Sequence, residues 1–399
     1  VVHYSVLAFS TLFKDYEGHI YQMEQITLPV SLGEAIDKLT ILDIKMRKIS
    51  DSRRVDVKNE YDILYDRLRK YVEEYEYHYK ALYNINLSLW ELQDKFHGKD
   101  VNTEEAGSIC KIILLENDRR YRVKAKINTM AKSVLREQKG YALKRVVLYS
   151  HLGLGDMYWM NGAVRYLATE YDEVLVICKA KYRLNAEAMY TDDPSIKLFI
   201  INDDVDLHPW HVKQNMFSEN GYKILGCGWF SGKEQPEVYN LPQSFYEDIG
   251  LSHDIRTAYF YVPRTKEAKD LVKCISNSGR PYILIHEESS VQKLPITSLV
   301  KERSDSNTLI LDFNKNPYDR QLNPIEWELA ENVVGKPLID YTYLIEGATE
   351  LHMIESSIYC LASHLDLTKV IKKVCYAPWG DNAERLGVFT TGPVLKSTE

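Results

Sequence analysis

The chain has 399 residues, enough for two or three domains and a sizeable buried core. Hydrophobic residues make up 45% and charged residues 27%, the balance of an ordinary globular protein. The formal net charge is -7, with residues 31–140 near +3, residues 1–30 at -2 and the remainder at -8. The acidic C-terminal part lacks the basic face of a general nucleic-acid binder, so no nucleic-acid partner is expected.

Residues 1–30 read as a leader. Val1 to Phe13 is mildly apolar, but it has no basic start and no small-residue cleavage site. The sequence leaves open whether it frays or pairs as a strand. Residues 31–140 then predict a helical domain. Ser31 and Glu34 have capping-box spacing, and Leu32, Ile36, Leu39, Met46 and Ile49 follow at helical spacing. A long helix is expected over about 57–96, with a stripe that includes Tyr61, Leu64, Leu68, Tyr75, Leu82 and Leu89. Thr103 is read as the cap of a third helix running to about Gln138, with Glu104 and Glu105 in its first turn. Short connections make this an antiparallel hairpin or coiled-coil-like bundle, and the Tyr/Leu stripe is compatible with a homo-oligomer formed through these helices. Asn117, Arg120, Tyr121, Lys124 and Asn128 are polar at core-like spacing. They are either a solvated face or a binding surface.

The texture changes near residue 144. Arg145–Tyr149 is a short apolar run of the kind buried on both faces. A glycine-rich turn, His151 to Asp156, follows it. A helix from Met157 to Ala168 comes next, then strands at Glu173–Cys178, Ile196–Ile201 and Tyr222–Leu225. The alternation restarts after Pro263–Ala268, read as a linker. Strands are expected at Tyr282–Ile285, Thr308–Phe313, Leu338–Asp340 and Val374–Tyr376, with a helix between Asp340 and Ser356 and another to Leu365. The fold class is therefore α/β: two Rossmann-like halves, 144–265 and 266–399, preceded by the helical domain.

The six cysteines are scattered without CxxC spacing, and several sit in apolar runs, which points to reduced thiols and a cytoplasmic setting. No apolar run reaches the roughly 18–20 residues needed to cross a bilayer. Asp192-Asp193 and Asp203-Asp204 are adjacent carboxylate pairs, and Asp204 and Asp206 alternate as in a metal-binding triplet; loop acids are the simpler reading, and no metal is expected.

His151, Gly153, Gly155 and Asp156 form the most informative segment. Glycines after a first strand admit a ligand close to the backbone, and the next helix offers free amides. The third glycine comes too late for a dinucleotide fingerprint, and the Lys-Ser/Thr of a phosphate loop is missing, which disfavours nicotinamide enzymes and P-loop kinases. Asp156 is either a helix cap or a general base. His286, Ser289 and Ser290 end the first strand of the second half, where open sheets bind ligands. Lys179 and Arg320 follow strand ends; each is a surface cation or a partner for a diphosphate.

Gly155-Asp156 followed by Asn161-Gly-Ala-Val-Arg-Tyr-Leu167 resembles the opening of the heptosyltransferase-like glycosyltransferases of the GT-B fold. The segment Leu344 to Ser357, with Leu361-Ala362, resembles their donor-side motif. The resemblance implies a GT-B-like pair of halves, the first on the acceptor side and the second on the donor side. Asp156 would be the base, with His151, Gly153, Gly155 and Lys179 lining the acceptor cleft. His286, Ser289, Ser290, Arg320, Ser356 and Ser357 would lie on the donor side, with the Ser356-Ser357 pair near phosphates or simply capping a helix. It further implies metal-independent transfer from a nucleotide-diphosphate sugar to the hydroxyl of a glycan or other acceptor, with no bound cofactor. Ser31 to Leu39 and Arg120 to Asn128 resemble a helical module of unknown function that is sometimes attached to such transferases. The alternative is a non-catalytic scaffold on a degenerate transferase fold, its helices recruiting a partner.

Overall fold

The computed structural model describes residues 2–4, 13–14, 20–21, 28–98, 102–140, 142–150, 153–203, 206, 210–228, 241–289, 292–376 and 388–392. The chain divides into two compact units, residues 1–144 with 167–173, and residues 145–166 with 174–399.

In the first unit, β1 (Val2–Tyr4) pairs antiparallel with β4 (Leu28–Val30), and β2 (Phe13–Lys14) with β3 (Ile20–Tyr21). Four helices follow: α1 (Leu32–Lys48), α2 (Arg54–Glu74), α3 (Glu76–Gly98) and α4 (Thr103–Met130). The expected long helix is two helices, because Tyr75 leaves helical geometry at φ -113°, ψ 38°. Its stripe still packs inward: Leu64, Leu68, Leu82 and Leu89 are buried. Asn102, not Thr103, caps α4, its Oδ1 accepting Glu105 N–H at 2.9 Å. The expected end of that helix near Gln138 is also corrected. It stops at Met130, where Lys132 turns left-handed at φ 49° and Ser133 N–H bonds back to Asn128 O at 2.8 Å.

α1 packs against the other three helices. Arg120, Lys124 and Asn128 of the polar stripe of α4 lie at this contact, so for these three neither reading from the sequence holds. Arg120 grips the buried Asp37 with two hydrogen bonds, Asn86 adds a third at 2.9 Å, and Lys124 pairs with Glu34 at 2.5 Å. Asn128 Oδ1 accepts Gly33 N–H at 2.7 Å. A Cβ on Gly33 would meet Lys124 O at 2.5 Å, so only glycine lets the two backbones approach. Ser31 caps α1 by accepting Glu34 N–H. The two segments that resembled a helical module are therefore the two sides of one polar lock.

The second unit is mixed α/β with parallel sheets. Its first sheet has the order β7-β6-β5-β8, from β5 (Arg145–Tyr149), β6 (Glu173–Lys179), β7 (Ile196–Ile201) and β8 (Tyr222–Gly226). Val146, Val147 and Leu148 are fully buried, which is why β5 reads as a continuous apolar run. The helices are α5 (Leu154–Trp159), α6 (Asn161–Glu170), α7 (Arg183–Tyr190), α8 (Trp210–Glu219), α9 (Leu241–Glu247) and α10 (Ile255–Tyr259). The single helix expected from Met157 thus begins earlier and breaks at Met160.

Thr265 caps α11 (Lys266–Ser276), which leads into the second sheet. That sheet has the order β10-β9-β11-β12-β13, from β9 (Tyr282–His286), β10 (Leu309–Asp312), β11 (Glu350–Ile354), β12 (Lys372–Tyr376) and β13 (Thr390–Thr391), all neighbours parallel. Its helices are α12 (Ile296–Lys301), α13 (Pro324–Glu331), α14 (Thr342–Glu346) and α15 (Ser357–Ala362). Two expectations fail here. Leu338–Tyr341 is a short 3-10 turn rather than a strand, and β11 occupies part of the stretch read as helix. The central strand is β11, with Leu351, Met353 and Ile354 buried. Among the described residues no helix is long and apolar enough to cross a membrane.

Candidate functional site

Open parallel sheets bind ligands beyond the strand C-termini, at the point where strand order reverses. In the first sheet that point lies between β5 and β8, and in the second between β9 and β11. The helix that follows β5 is α5 and the helix that follows β11 is α15, and these two pack together. Gly155 makes the approach: a Cβ there would stand 3.0 Å from Cys360 Sγ and 3.6 Å from Ser357 Cα. This glycine therefore serves a helix contact that brings the two crevices to one place. Asp156 comes from one side, and Glu355, Ser356 and Ser357 from the other. Burial, followed by the negative charges of Asp156 and Glu355, pushes the Cys360 thiol well above its ordinary pKa, so both carboxylates are near it.

Asp156 bends back onto its own helix start. Its Oδ2 accepts Gly153 N–H at 3.1 Å. A Cβ on Gly153 would lie 2.7 Å from that oxygen, so the glycine makes room for the carboxylate. The capping role is thus realised, and it also orients the acid. Ser356 caps α15 in the opposite sense, as the N-cap itself, its Oγ accepting Tyr359 N–H at 3.4 Å. Ser357 begins the helix and is half-buried.

His286 ends β9 almost fully buried, and burial pushes its imidazole down to about 4, so it is neutral at pH 7. Its Nδ1 is buried without a hydrogen-bond partner among the described residues. Ser289 bonds twice to Gln292, its N–H donating to Gln292 O at 2.8 Å and its Oγ accepting Gln292 N–H at 3.3 Å. Glu287 accepts Thr297 N–H at 2.8 Å and pairs with Lys315. Lys179 closes β6 at the C-terminal edge of the first sheet. Arg320 is exposed and lies over the Trp327 ring at 4.8 Å. His151 and Ser290 lie outside the described residues. The acidic pairs are local: Asp192 holds Arg165, Asp193 accepts Ser195 N–H at 3.0 Å, and Asp206 Oδ2 accepts Asn202 N–H at 2.7 Å; Asp204 lies outside the described residues. Among the described residues no cluster of three or more His, Cys, Asp or Glu side chains could hold a metal.

Residues 26–148 match the sequence model of a family of unknown function (DUF6165). No curated protein matches this chain in sequence. Among solved structures, the chain is similar to a glycosyl transferase family 9 protein from Veillonella parvula at 11% identity and TM-score 0.40, over 60% of this chain and 82% of that one. It is also similar to ADP-heptose LPS heptosyltransferase II of E. coli, at 14% identity and TM-score 0.38, over 58% and 84%. A third is the iron-containing dodecameric glycosyltransferase TibC of enterotoxigenic E. coli, at 16% identity and TM-score 0.33, over 61% and 60%.

Several residues at the site were not singled out from the sequence. His364, just after α15, stacks on Phe260 at 4.2 Å and meets the Trp159 ring edge-on at 5.0 Å. Its Nδ1–H donates to Cys360 O at 2.7 Å, leaving Nε2 to accept from Arg256 at 3.2 Å. Burial and then the Arg256 charge push this imidazole down to about 3. Arg256 also faces the Trp159 ring. A cation from α10 thus ties the end of α15 to the end of α5. The only sequence signal was a polar residue one turn after a short apolar helix, which is too common to single out.

Proposed function

We propose that this chain is a GT-B-like glycosyltransferase that moves a sugar from a nucleotide-diphosphate sugar to an acceptor hydroxyl without a bound metal. The observation that carries this reading is the contact between α5 and α15, each starting at the switch point of its own sheet. It supports one crevice in which an acid from the first half faces a serine-lined helix start from the second. In this reading Asp156 takes the proton of the acceptor hydroxyl as that oxygen bonds to the anomeric carbon. The bond from that carbon to the diphosphate breaks at the same time, and the nucleoside diphosphate leaves with the electron pair. Holding Oδ2 on Gly153 N–H fixes the carboxylate's direction, which general-base catalysis requires. Ser289, Ser290, Ser356 and Ser357, with the neutral His286, are the donor-side groups, and Lys179, which ends β6, and Arg320, in the segment after β10, are the cations assigned to the diphosphate.

A nucleotide-binding scaffold without turnover is the second reading. It is favoured by the fact that Asp156 and Ser356 both serve as helix caps. One pair of measurements separates the two. Thermal shift against nucleoside diphosphates and nucleotide sugars reports donor binding through mass action. Release of nucleoside diphosphate in the presence of acceptors reports transfer. The transferase reading expects a base-selective shift that weakens in S356A/S357A, with turnover falling about a hundredfold or more in Asp156→Asn. An unchanged rate in Asp156→Asn sinks the assigned base. A shift without turnover on any acceptor favours the scaffold.

A further inference from the structure

A cavity of about 370 Å³ opens on the second sheet at the edge opposite the switch point. It is lined by the N-terminal ends of β9, β11 and β12, by Tyr376 at the far end of β12, and by the residues that end α12 and follow it, and none of the candidate donor or acceptor residues reaches it. Its volume falls in the lower range of small-molecule sites, roughly 300–1,000 Å³.

A chain of three polar side chains forms its inner wall. His352, nearly fully buried, has Nε2 2.9 Å from Glu350 Oε2 and Nδ1 2.8 Å from Tyr376 Oη. An ionised carboxylate only accepts, so the imidazole proton sits on Nε2 and Nδ1 accepts the Tyr376 O–H. Glu350 also meets Lys372 at 3.5 Å through the same Oε2. Glu350 Oε1 and the Tyr376 oxygen therefore keep acceptor capacity on residues that line the cavity.

At the rim the balance is cationic. The carboxylate of Asp305 is used by its own turn, accepting from Asn307 N, Thr308 N and Thr308 Oγ1. Lys372 is shared with Glu350. Among the described residues the Arg303 guanidinium has neither an ion pair nor a hydrogen bond, although its charge acts on both His352 and Tyr376. A cation without a partner at the mouth and acceptors on the inner wall select a ligand that is anionic at one end and a hydroxyl donor at the other. An apolar carboxylate would leave Glu350 facing hydrocarbon.

We propose that this cavity is a second ligand site that takes a sugar phosphate or small phosphorylated polyol, with the phosphate on Arg303 and the hydroxyls on Glu350 and Tyr376. The site is independent of the transferase reading.

The test follows the His352 imidazole by NMR in the full chain labelled with nitrogen-15 histidine, assigned through His352→Gln. The probes are glucose 6-phosphate and glycerol 3-phosphate, with inorganic phosphate and glycerol as controls. A saturable His352 shift with glucose 6-phosphate is expected, weakened about tenfold or more in Arg303→Gln. Arg303 is exposed, so that variant should fold normally. Inorganic phosphate should bind more weakly, and glycerol not measurably. Asp156→Asn should leave the titration unchanged, so loss of transfer in that variant says nothing against this site. An absent shift, or one as strong in Arg303→Gln, overturns the proposal. Equal binding of inorganic phosphate overturns its hydroxyl half and leaves a plain anion contact.

Discussion

Arg165 belongs to the helix segment that resembles a transferase motif, yet its surroundings give it a structural task. Its side chain is fully buried. The guanidinium meets Asp192 through two bonds of 2.9 and 2.8 Å, donates to Tyr261 O at 2.7 Å and Met189 O at 2.8 Å, and faces the rings of Tyr190 and Tyr261. Arg165→Met keeps the aliphatic stem and removes every donor. The carboxylate and both carbonyls are then left without their partner. Breaking a buried ion pair in this way costs about 3–5 kcal/mol. Because Asp192 keeps 22% of its side-chain surface in water, the lower end, near 3 kcal/mol, is expected. Urea unfolding of the full chain, read by tryptophan fluorescence, should show the midpoint fall with little change in slope. Asp192→Asn added to Arg165→Met should recover part of the loss, since it removes the stranded charge. A loss below about 1 kcal/mol for Arg165→Met would refute the reasoning, because it would place the guanidinium in water.

Gly33→Ala tests the polar lock of the helical unit. Its Cβ would meet a backbone carbonyl at 2.5 Å, so α1 must move, and a loss of about 1–3 kcal/mol is expected in urea unfolding. Gly153→Ala has an allowed backbone, φ -76° and ψ 150°, but its Cβ would push the Asp156 carboxylate aside. Turnover should fall well beyond any change in melting temperature, and parallel losses in both would contradict an orienting role. His364 gives a pH signature. Its folded pKa, about 3 against an ordinary 6.5, means that the unfolded chain binds a proton the folded chain excludes. Its stabilising effect is complete above pH 6.5 and is lost as pH falls towards 3, by at most about 1.4 kcal/mol per unit. His364→Gln should flatten that part of the stability–pH curve, and an unchanged curve would mean the imidazole already titrates freely.

Strands with both faces covered were legible because covering both faces demands unbroken apolar residues, as in β5, β6 and β9. The central strand β11 was missed for a specific reason. Glu350 and His352 interrupt its apolar run, and their polarity is tolerated because they bond to each other beside a cavity. The break at Tyr75 carries no glycine or proline and left no mark in the sequence. On α4, Arg120, Lys124 and Asn128 looked like surface because polar residues usually are. Their partners Asp37, Glu34 and Gly33 lie on another helix, and only the fold could show that the charges cancel inside. Asp156 and the Ser356-Ser357 pair could be placed in one crevice from the sequence only through resemblance, since spacing along the chain carries no information on a contact between α5 and α15.

The segment from Gly153 to Leu167 shows how little of a motif need be chemistry. Gly153 makes room for a carboxylate and Gly155 for a neighbouring helix. Asn161 and Arg165 both hold Tyr261, one at its N–H and the other at its carbonyl. Gly162 lets α10 approach, since a Cβ there would stand 2.8 Å from the carbonyls of Ile255 and Arg256. Arg256 in turn reaches His364 at the end of α15. The residues around Asp156 thus run from the first sheet, through the chain joining the halves, to the helix that follows β11. In a transferase this wiring would fix the distance between base and donor, and in a scaffold it would fix a nucleotide pocket. Either way the glycines of the segment report packing, and the proposed chemistry is tested at Asp156 and the Ser356-Ser357 pair.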